Sequence, residues 1–539
     1  MAQGGNLWPD EPDSPGGRFY PCQYCGRIWP RYTRRLSTIS THCPRVLEGD
    51  GDAFTYCRAI RLHRKREGRT NHGHGRKYRQ IVAASHPQAI RNITYSLTPL
   101  FPYSLIFADP PMPYQSPISP GYSWYEANTP DRPQYPELDG SQQADVVVIG
   151  GGYTGLSAAY HLAKQGTDVV LIEAARLGDG ASGRNGGQFG TGQRTWAEDL
   201  ETEYGYERAK ALFNVAEEAK SYLLAFAEEH AIDMEYVQGH ISVVHKPRYL
   251  KSYERHVEQM ASRFNYPHQR FLDRAETAEL LGTSRYHGGV YDSATGHIHP
   301  MKLLIGTAKA AHTAGAKLFE DTKATKISTA SGRVEVETTR GTIRARHAFI
   351  AVNAYGGRLE PVSASHVMPI RSFIGATAPL GDDSPVIPGG ESVDDSRFVV
   401  RYFRRSKDGR LLFGGREAYT ADNPRDISAH IRRQITEIYP ALENVEITHA
   451  WGGSVGITMP RQPFVREVMP GVISAGGYSG HGVMLANYVG KLYADTLAGR
   501  REKLKLFEEL RIPPFPGGRT FRSPLLILAL SWYALMDRI

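Results

Sequence analysis

Cysteine is scarce and confined to one end of the chain: Cys22, Cys25, Cys43 and Cys57 are the only four in 539 residues. The remaining sequence therefore holds no disulfide framework and fits a reducing compartment, expected to be the cytoplasm. No thiol beyond Cys57 is available to tether a prosthetic group covalently. Long apolar runs are missing as well. The longest stretch of that character, Pro524 to Met536, falls short of the ~20 residues a spanning helix needs. It reads as a segment packed on the body or, at most, in weak contact with a membrane surface. No N-terminal stretch combines a basic start, an apolar run and a small-residue cleavage site, so no secretory leader is expected.

An excess of one charge is absent from most of the chain. The formal net charge is +8, yet residues 1–111 hold sixteen of the 64 Lys/Arg and eight of the 56 Asp/Glu, which leaves 48 of each for residues 112–539. The basic excess belongs to the N-terminal segment and gives no support to nucleic-acid binding by the rest. That segment has no sustained helical or strand periodicity, is rich in arginine (Arg58, Arg61, Arg64, Arg66, Arg69) and is expected to be a disordered extension. Its Cys22-x-x-Cys25, His42, Cys43 and Cys57 are zinc-type ligands without the paired close spacing of a finger, so no metal site is expected. The reading that follows is a non-functional extension, with native initiation near Met112. A Pro-rich stretch from Ser116 to Gln143, carrying Trp124 and Tyr125, reads as an extended arm lying on the body.

The texture changes at Ala144. Ala144-Asp145-Val146-Val147-Val148-Ile149 is a buried-strand run, Gly150-Gly151-Gly152 a turn, and Leu156, Ala159, Tyr160 and Ala163 recur at helical spacing until Gly166. Asp168 to Glu173 is a second strand, which completes a βαβ crossover. Farther on, residues 207–230 predict a helix with Leu212, Val215, Ala219, Leu223 and Phe226 on one face. Short strands are predicted at Glu335–Thr338 and Phe398–Val400.

The turn and helix start at Gly150, Gly152, Tyr153, Thr154 and Gly155 stand where a dinucleotide-binding turn must stand. The first glycine permits the tight turn, the second admits backbone close to a pyrophosphate, and the third lets helix and strand pack closely. Glu173, eighteen residues after Gly155, is placed to accept hydrogen bonds from a ribose. Two further glycine-rich segments offer free backbone donors to a polar group. One is Gly180-Ala181-Ser182-Gly183-Arg184-Asn185-Gly186-Gly187-Gln188; the other, after the short strand Gly471–Gly477, is Tyr478-Ser479-Gly480-His481-Gly482-Val483.

In this order the pieces resemble the D-amino-acid-oxidase-like superfamily of FAD oxidoreductases, and within it the gamma-glutamylputrescine oxidoreductase family. The resemblance runs from Asp145 to about Arg500 and rests on Gly150–Gly155 with Glu173, on Ser182–Gly187, on Arg410-Leu411-Leu412-Phe413-Gly414-Gly415-Arg416, and on Gly480-His481-Gly482. It implies that Gly150, Gly152, Gly155 and Glu173 hold the ADP half of FAD. Ser182, Arg184, Asn185 and Gln188 would lie along the pyrophosphate and ring, and Gly480, His481, Gly482 and Val483 would cradle the isoalloxazine. A backbone contact to adenine would fall in Thr322-Lys323-Ala324, with Ala324 the residue carried over. Some sarcosine-oxidase-like relatives attach FAD through cysteine and use a strand lysine for oxygen chemistry. Here no cysteine is available, and the comparable strand reads Leu411-Leu412-Phe413, so FAD is expected to be non-covalent.

The fold class expected is α/β: a Rossmann-type FAD-binding domain interleaved with an α+β substrate domain carrying a mixed or antiparallel sheet. The FAD-binding parts are expected at 144–205, 301–360 and 451–500, the substrate-domain parts at 206–300 and 361–450, with an arm at 112–143 and a tail at 501–539. The flavin would carry the redox chemistry, so no side chain is singled out as catalytic. Tyr402, Arg404, Arg461 and Tyr478 are the candidates for substrate contact, the two arginines because a guanidinium clamps a carboxylate in a fork. Trp451 reads as a core aromatic. The expected function is oxidation of an amine such as gamma-glutamylputrescine to an imine, with oxygen or an electron carrier as acceptor. The alternatives are an oxidase of N-methyl amino acids or glycine, and a dinucleotide-binding module without turnover.

Overall fold

A computed structural model describes residues 114–418 and 426–517. The readings made above for residues 1–111 and for the apolar stretch Pro524–Met536 lie outside the described residues. Two sheets organise the rest into a mixed α/β fold. The first has a parallel centre in the order Val472–Gly476, Thr342–Ile350, Gln142–Ile149, Val169–Ile172, Lys317–Phe319. Strand Phe464–Met469 pairs antiparallel on one flank, and Ala324–Ala330 and Arg333–Thr338 lead as a meander into Thr342–Ile350.

A strand buried on both faces must be apolar at every position, and the valine run obeys this with period two. Val146, Val148, Val169, Leu171 and Phe349 pack in one core with the helices Tyr153–Lys164, Pro300–Thr313 and Gly482–Leu497. Val147, Ile149, Val170, Ile172, Ala348 and Ile350 point the other way, into a core shared with Val334 and Val336 of the meander. Helices Tyr153–Lys164 and Gly482–Leu497 meet backbone to backbone at Gly490, where a Cβ would fall on the Thr154 carbonyl oxygen. The Ser157 hydroxyl donates to the Asn487 carbonyl there at 2.6 Å.

The second sheet is mixed. Its order is Gly121–Tyr122, Ile447–Ile457, Met368–Pro379, Arg410–Ala418, Tyr402–Arg405, Ser392–Asp395, Val237–Val243, Gly289–His297, Gln188–Phe189, and Gln269–Leu272 also pairs with Gly289–His297. The pair Ser392–Asp395 with Val237–Val243 is parallel; the other pairings are antiparallel. Here alternation separates two chemistries. Ile241, Val243, Val393, Phe403, Phe413 and Phe373 form an apolar face against Ile431, Ile435 and Ile438 of the helix Ile427–Ile438. The residues between them, His240, Ser242, Asp394, Tyr402 and Ser372, face a cavity.

The helix Tyr206–Glu229 buries the predicted face, Leu212, Val215, Ala219, Leu223 and Phe226. Two expectations need correction. The stretch Ser116–Gln143 is more than an arm laid on the surface: Gly121–Tyr122 extends the second sheet, Trp124–Ala127 is a helical turn, and Trp124 and Tyr125 are buried in the main core. Phe398–Val400 is not a strand but part of a loop. The Asp395 carboxylate accepts the backbone N–H groups of Arg397 and Arg401 and pairs with the Arg397 guanidinium, and this curls residues 396–401 away from strand geometry.

Burial of histidine gives the fold a pH dependence. His299 is 1% exposed, caps the helix Pro300–Thr313 by accepting the Lys302 N–H on Nδ1 (3.3 Å), and lies against Trp124 and Tyr125. Burial, reinforced by the Arg404 and Lys302 charges, pushes its pKa down to about 3, and burial with Arg194 nearby brings His481 to about 4. Both are neutral when folded, whereas an unfolded histidine titrates near 6.5, so the unfolded chain binds more protons in that window and stability falls as pH drops below about 6.5. The expected loss is roughly 1 kcal/mol per pH unit for each such histidine. A melting series from pH 7.5 to 5 checks it, and His299→Gln, which keeps an acceptor at the cap, should flatten the acid limb.

Candidate functional site

The strand Gln142–Ile149 ends in Gly150, whose φ of +114° belongs to the region that favours glycine, and the helix then starts from Gly152 without a side-chain cap. A Cβ on Gly155 would fall on the Gly150 carbonyl oxygen, and one on Gly152 would stand 2.8 Å from Ser182 Oγ. The third glycine thus serves helix–strand packing, and the second lies beside the 180–188 loop. Ser182 Oγ accepts the Tyr153 N–H at 3.0 Å, and Thr154 Oγ1 lies 2.9 Å from the Tyr478 hydroxyl. Glu173 accepts the N–H groups of Gly151 (2.7 Å) and Ala175 (3.2 Å), so its carboxylate braces the same turn. Ala324 begins the strand Ala324–Ala330, two residues after Thr322, whose N–H donates to the Glu173 carbonyl.

Of the predicted residues, the cavity of about 400 Å³ between the loops and the second sheet brings together Arg184, Asn185, Gln188, Gly480, His481, Val483, Tyr402 and Arg461. Several of these direct their polar groups into the scaffold instead of the open space. Arg184 is buried and donates to the carbonyls of Gly452 (2.8 Å), Pro120 (2.6 Å) and Gly121 (2.7 Å), so these donors staple the loop to the N-terminal stretch. Asn185 closes its own loop, donating to Ala181 and Ser182 carbonyls and accepting the Gly187 N–H. Gln188 donates to the Val393 and Phe403 carbonyls and so binds the loop to the second sheet. His481, neutral by its burial, reaches the Gly192 carbonyl through Nε2 at 3.1 Å. The glycines among the lining residues, Gly186, Gly187, Gly190, Gly192 and Gly480, can present only backbone to the cavity, which suits close approach of a planar, polar ring.

Arg404 and Tyr478 are corrections. Arg404 is 3% exposed and does not line the cavity; it donates to the carbonyls of Gly186 (2.7 Å) and Ile298 (3.1 Å) and to the Tyr125 hydroxyl (3.2 Å). With its Nη1 also donating to the Arg405 carbonyl, the guanidinium is turned into the scaffold and offers no two-donor fork to a carboxylate in the cavity. Tyr478 is buried below the second glycine turn, its hydroxyl bonded to Thr154. Tyr402 does line the cavity, its hydroxyl 3.2 Å from Ser372 Oγ. Trp451 is the expected core aromatic, donating its indole N–H to the Arg184 carbonyl.

The cavity also holds groups that the sequence motifs do not announce. His240, Ser242, Asp292 and Asp394 come from the sheet face, and Trp196, Tyr253 and His256 form an aromatic wall. The alternation of each strand would have placed them on one face, but only with the pairing partners known. A wider hollow of about 760 Å³, lined by Asn128, Lys164, Glu229 and Lys309 among others, contains none of the glycine-turn residues and is a separate surface feature.

FAD fits these elements: two helix starts without side-chain caps, glycines at which a Cβ would strike backbone or the adjoining loop, and a cavity lined by glycines of both loops, among them Gly186, Gly187, Gly190, Gly192 and Gly480. Among the described residues no helix is long and apolar enough to cross a membrane. The family model of the FAD dependent oxidoreductases matches residues 145–496. A probable oxidoreductase OrdL of Rhizobium meliloti (strain 1021) is 67% identical over 79% of this chain and 100% of its own length. The gamma-glutamylputrescine oxidoreductase of Escherichia coli (strain K12) is 34% identical over 77% of this chain and 98% of its own. Among solved structures, glycine oxidase from Geobacillus kaustophilus superposes with a TM-score of 0.58 at 24% identity, covering 69% of this chain and 99% of that one, which shows a shared fold. Membership sets aside the reading of a dinucleotide module without turnover. The match runs from the first dinucleotide strand to the last turn of the Gly482–Leu497 helix, through both sheets and both glycine turns, and this chain therefore belongs to the FAD-dependent oxidoreductase family.

Proposed function

We propose that the protein oxidises an amine of the gamma-glutamylputrescine kind to an imine, which water hydrolyses to an aldehyde, and that it does so in the cytoplasm with FAD held non-covalently. FAD, when bound, supplies a two-electron acceptor for the hydride that leaves the α-carbon. The chain's own part is to hold the ring between the 186–192 and 480–483 backbone, to orient the substrate across the polar sheet face, and to enclose it with Trp196, Tyr253 and Phe398.

The observation that carries this reading is Arg461. Arg184 gives donors to backbone carbonyls and Arg397 pairs with Asp395, but Arg461 makes no ion pair among the described residues; it stacks over Phe398 at 4.6 Å and opens on the cavity. Its φ of +60° is a strained conformation for a residue with a side chain, and such strain gathers at ligand sites. A half-buried guanidinium without a carboxylate suits a substrate that brings one, as a gamma-glutamyl amide does. The relative of E. coli named for gamma-glutamylputrescine supports the same substrate class. N-methyl amino acids and glycine also carry a carboxylate and form the second reading.

Anaerobic titration of the yellow protein with gamma-glutamylputrescine, putrescine, sarcosine and glycine separates them, since the productive amine bleaches the flavin. Recovery of colour on admitting air identifies oxygen as acceptor; lasting bleaching points to a carrier. Arg461→Lys keeps the charge but loses the fork, and should lower kcat/KM for gamma-glutamylputrescine by roughly 10- to 150-fold while sparing putrescine. An unchanged ratio of the two removes Arg461 from the substrate site.

A further inference from the structure

We propose that Asp394 is the anchor at which the substrate's amine docks in its ammonium form, before it gives up a proton to solvent and reacts as the neutral amine, and so a specificity-determining residue on the polar face of the second sheet. The inference rests on the amine reading above and names the side chain that selects for it.

Of the carboxylates lining the cavity, Asp394 is the one with an oxygen left open. Asp292 has both oxygens occupied, Oδ1 by the Tyr266 hydroxyl (2.9 Å) and the Ala294 N–H (3.0 Å), Oδ2 by Thr191 (2.7 Å) and Gln269 (3.0 Å). Asp395 is sealed against Arg397 and the 397–401 backbone. Asp199 already has an interaction of its own. Asp394 takes both its hydrogen bonds on Oδ1, from the Ser242 hydroxyl at 2.7 Å and from His240 Nε2 at 3.2 Å. Among the described residues Oδ2 accepts no hydrogen bond, and the side chain is 32% exposed and lines the cavity.

Geometry holds this carboxylate still. Asp394 stands opposite Ser242 on one neighbouring strand and opposite Tyr402 on the other, and His240 is fixed on its far side by Ser392 Oγ at 2.8 Å from Nδ1. His240 is thus a positioning residue for Oδ1, which leaves Oδ2 as the free acceptor. Burial raises the Asp394 carboxyl, but His240, Ser242 and Arg194 outweigh it and hold it below the ordinary range, so it is ionised at neutral pH. Tyr402, paired with it across the strands, adds an aromatic ring of the kind that attracts cations. The preceding residue, Val393, accepts from Gln188 of the glycine-rich loop, and the charge is felt at His481 of the other turn. A cation bound at Oδ2 is therefore held at the surface that joins both turns.

The test uses the FAD-loaded full chain and tert-butylammonium, a primary ammonium whose α-carbon bears no hydrogen and cannot be oxidised. Calorimetry and perturbation of the flavin spectrum give its Kd in wild type, Asp394→Asn and Asp394→Glu. Asn is nearly isosteric, so FAD content and Tm should hold while affinity falls roughly 10- to 100-fold, with Glu recovering part of it. Neutral tert-butanol, the control for shape, should bind all three alike. Equal tert-butylammonium affinity in wild type and Asp394→Asn overturns the proposal, and so does an equal loss for tert-butanol. If wild type binds the cation through Asp394 but no amine bleaches the flavin, the anchor stands and the amine-oxidation reading fails. If amines bleach wild type and Asp394→Asn at the same KM, the reaction stands and the anchor fails.

Discussion

Gly155→Ala should yield a colourless protein. The added methyl would land on the Gly150 carbonyl oxygen, which is backbone and is held by the strand–turn–helix geometry, with Val148 Cγ1 also crowding at 3.2 Å. The helix Tyr153–Lys164 has no free direction in which to retreat, because its other side meets Gly482–Leu497 backbone to backbone at Gly490. Overpacking of this kind typically costs about 1–3 kcal/mol and occasionally more. The turn proposed to open to the pyrophosphate is the part expected to give way. Flavin absorbance per mole of purified protein should fall to near zero, with a lower Tm in the protein that remains soluble. Gly152→Ala is the contrast: its methyl meets Ser182 Oγ, the end of a side chain that can rotate, so the fold should survive and FAD affinity should bear the loss. Full flavin occupancy in Gly155→Ala would mean that the turn is not where the cofactor sits.

Arg404→Met should destabilise the protein without altering its choice among substrates. The methionine fills much of the volume but removes every donor, leaving the Gly186 and Ile298 carbonyls and the Tyr125 hydroxyl without their partner in a buried place. Each unsatisfied buried group costs about 1–3 kcal/mol, so a loss of roughly 3–5 kcal/mol is expected. The loop that leans on the guanidinium runs through Gly186 and Gly187, so FAD affinity should fall with stability. The ratio of kcat/KM for gamma-glutamylputrescine to that for putrescine should stay as in wild type. A variant of normal Tm with a changed ratio would put Arg404 back at the substrate.

The contrast between the two arginines shows where reading from sequence stops. Arg404 and Arg461 both follow aromatic or apolar residues in short segments, and nothing in either segment tells where the guanidinium goes. Arg404 lies on a paired strand under a loop over two hundred residues earlier in the chain, whereas Arg461 occupies a left-handed turn position outside any strand. The glycine turns were legible because their chemistry is local: a strand, a tight turn and a helix start within about twenty residues, each demanding particular residue types. The polar sheet face was not. His240 and Asp394 stand side by side only through the parallel pairing of Val237–Val243 with Ser392–Asp395, segments some 150 residues apart whose register no single sequence reveals. Phe398–Val400 failed for a related reason, since three apolar residues look like a strand until the Asp395 carboxylate is seen to gather the loop around itself.

The order of strands in the first sheet also bears on how the chain reaches its native state during synthesis. Thr342–Ile350 lies between Gln142–Ile149 and Val472–Gly476; Arg333–Thr338 pairs with its first half on the edge away from Gln142–Ile149, but Ala348–Ile350 on that edge have no partner until more than 120 further residues have been made. At about 5–20 residues per second that interval is roughly 6–25 seconds, during which an apolar parallel edge is open to the wrong neighbours. The helix Gly482–Leu497, which covers the same sheet and completes the second glycine turn, arrives later still. Nascent chains of this topology depend on late residues to bury early ones, and the hazard they face is aggregation at the ribosome, before any cofactor has a finished site to enter.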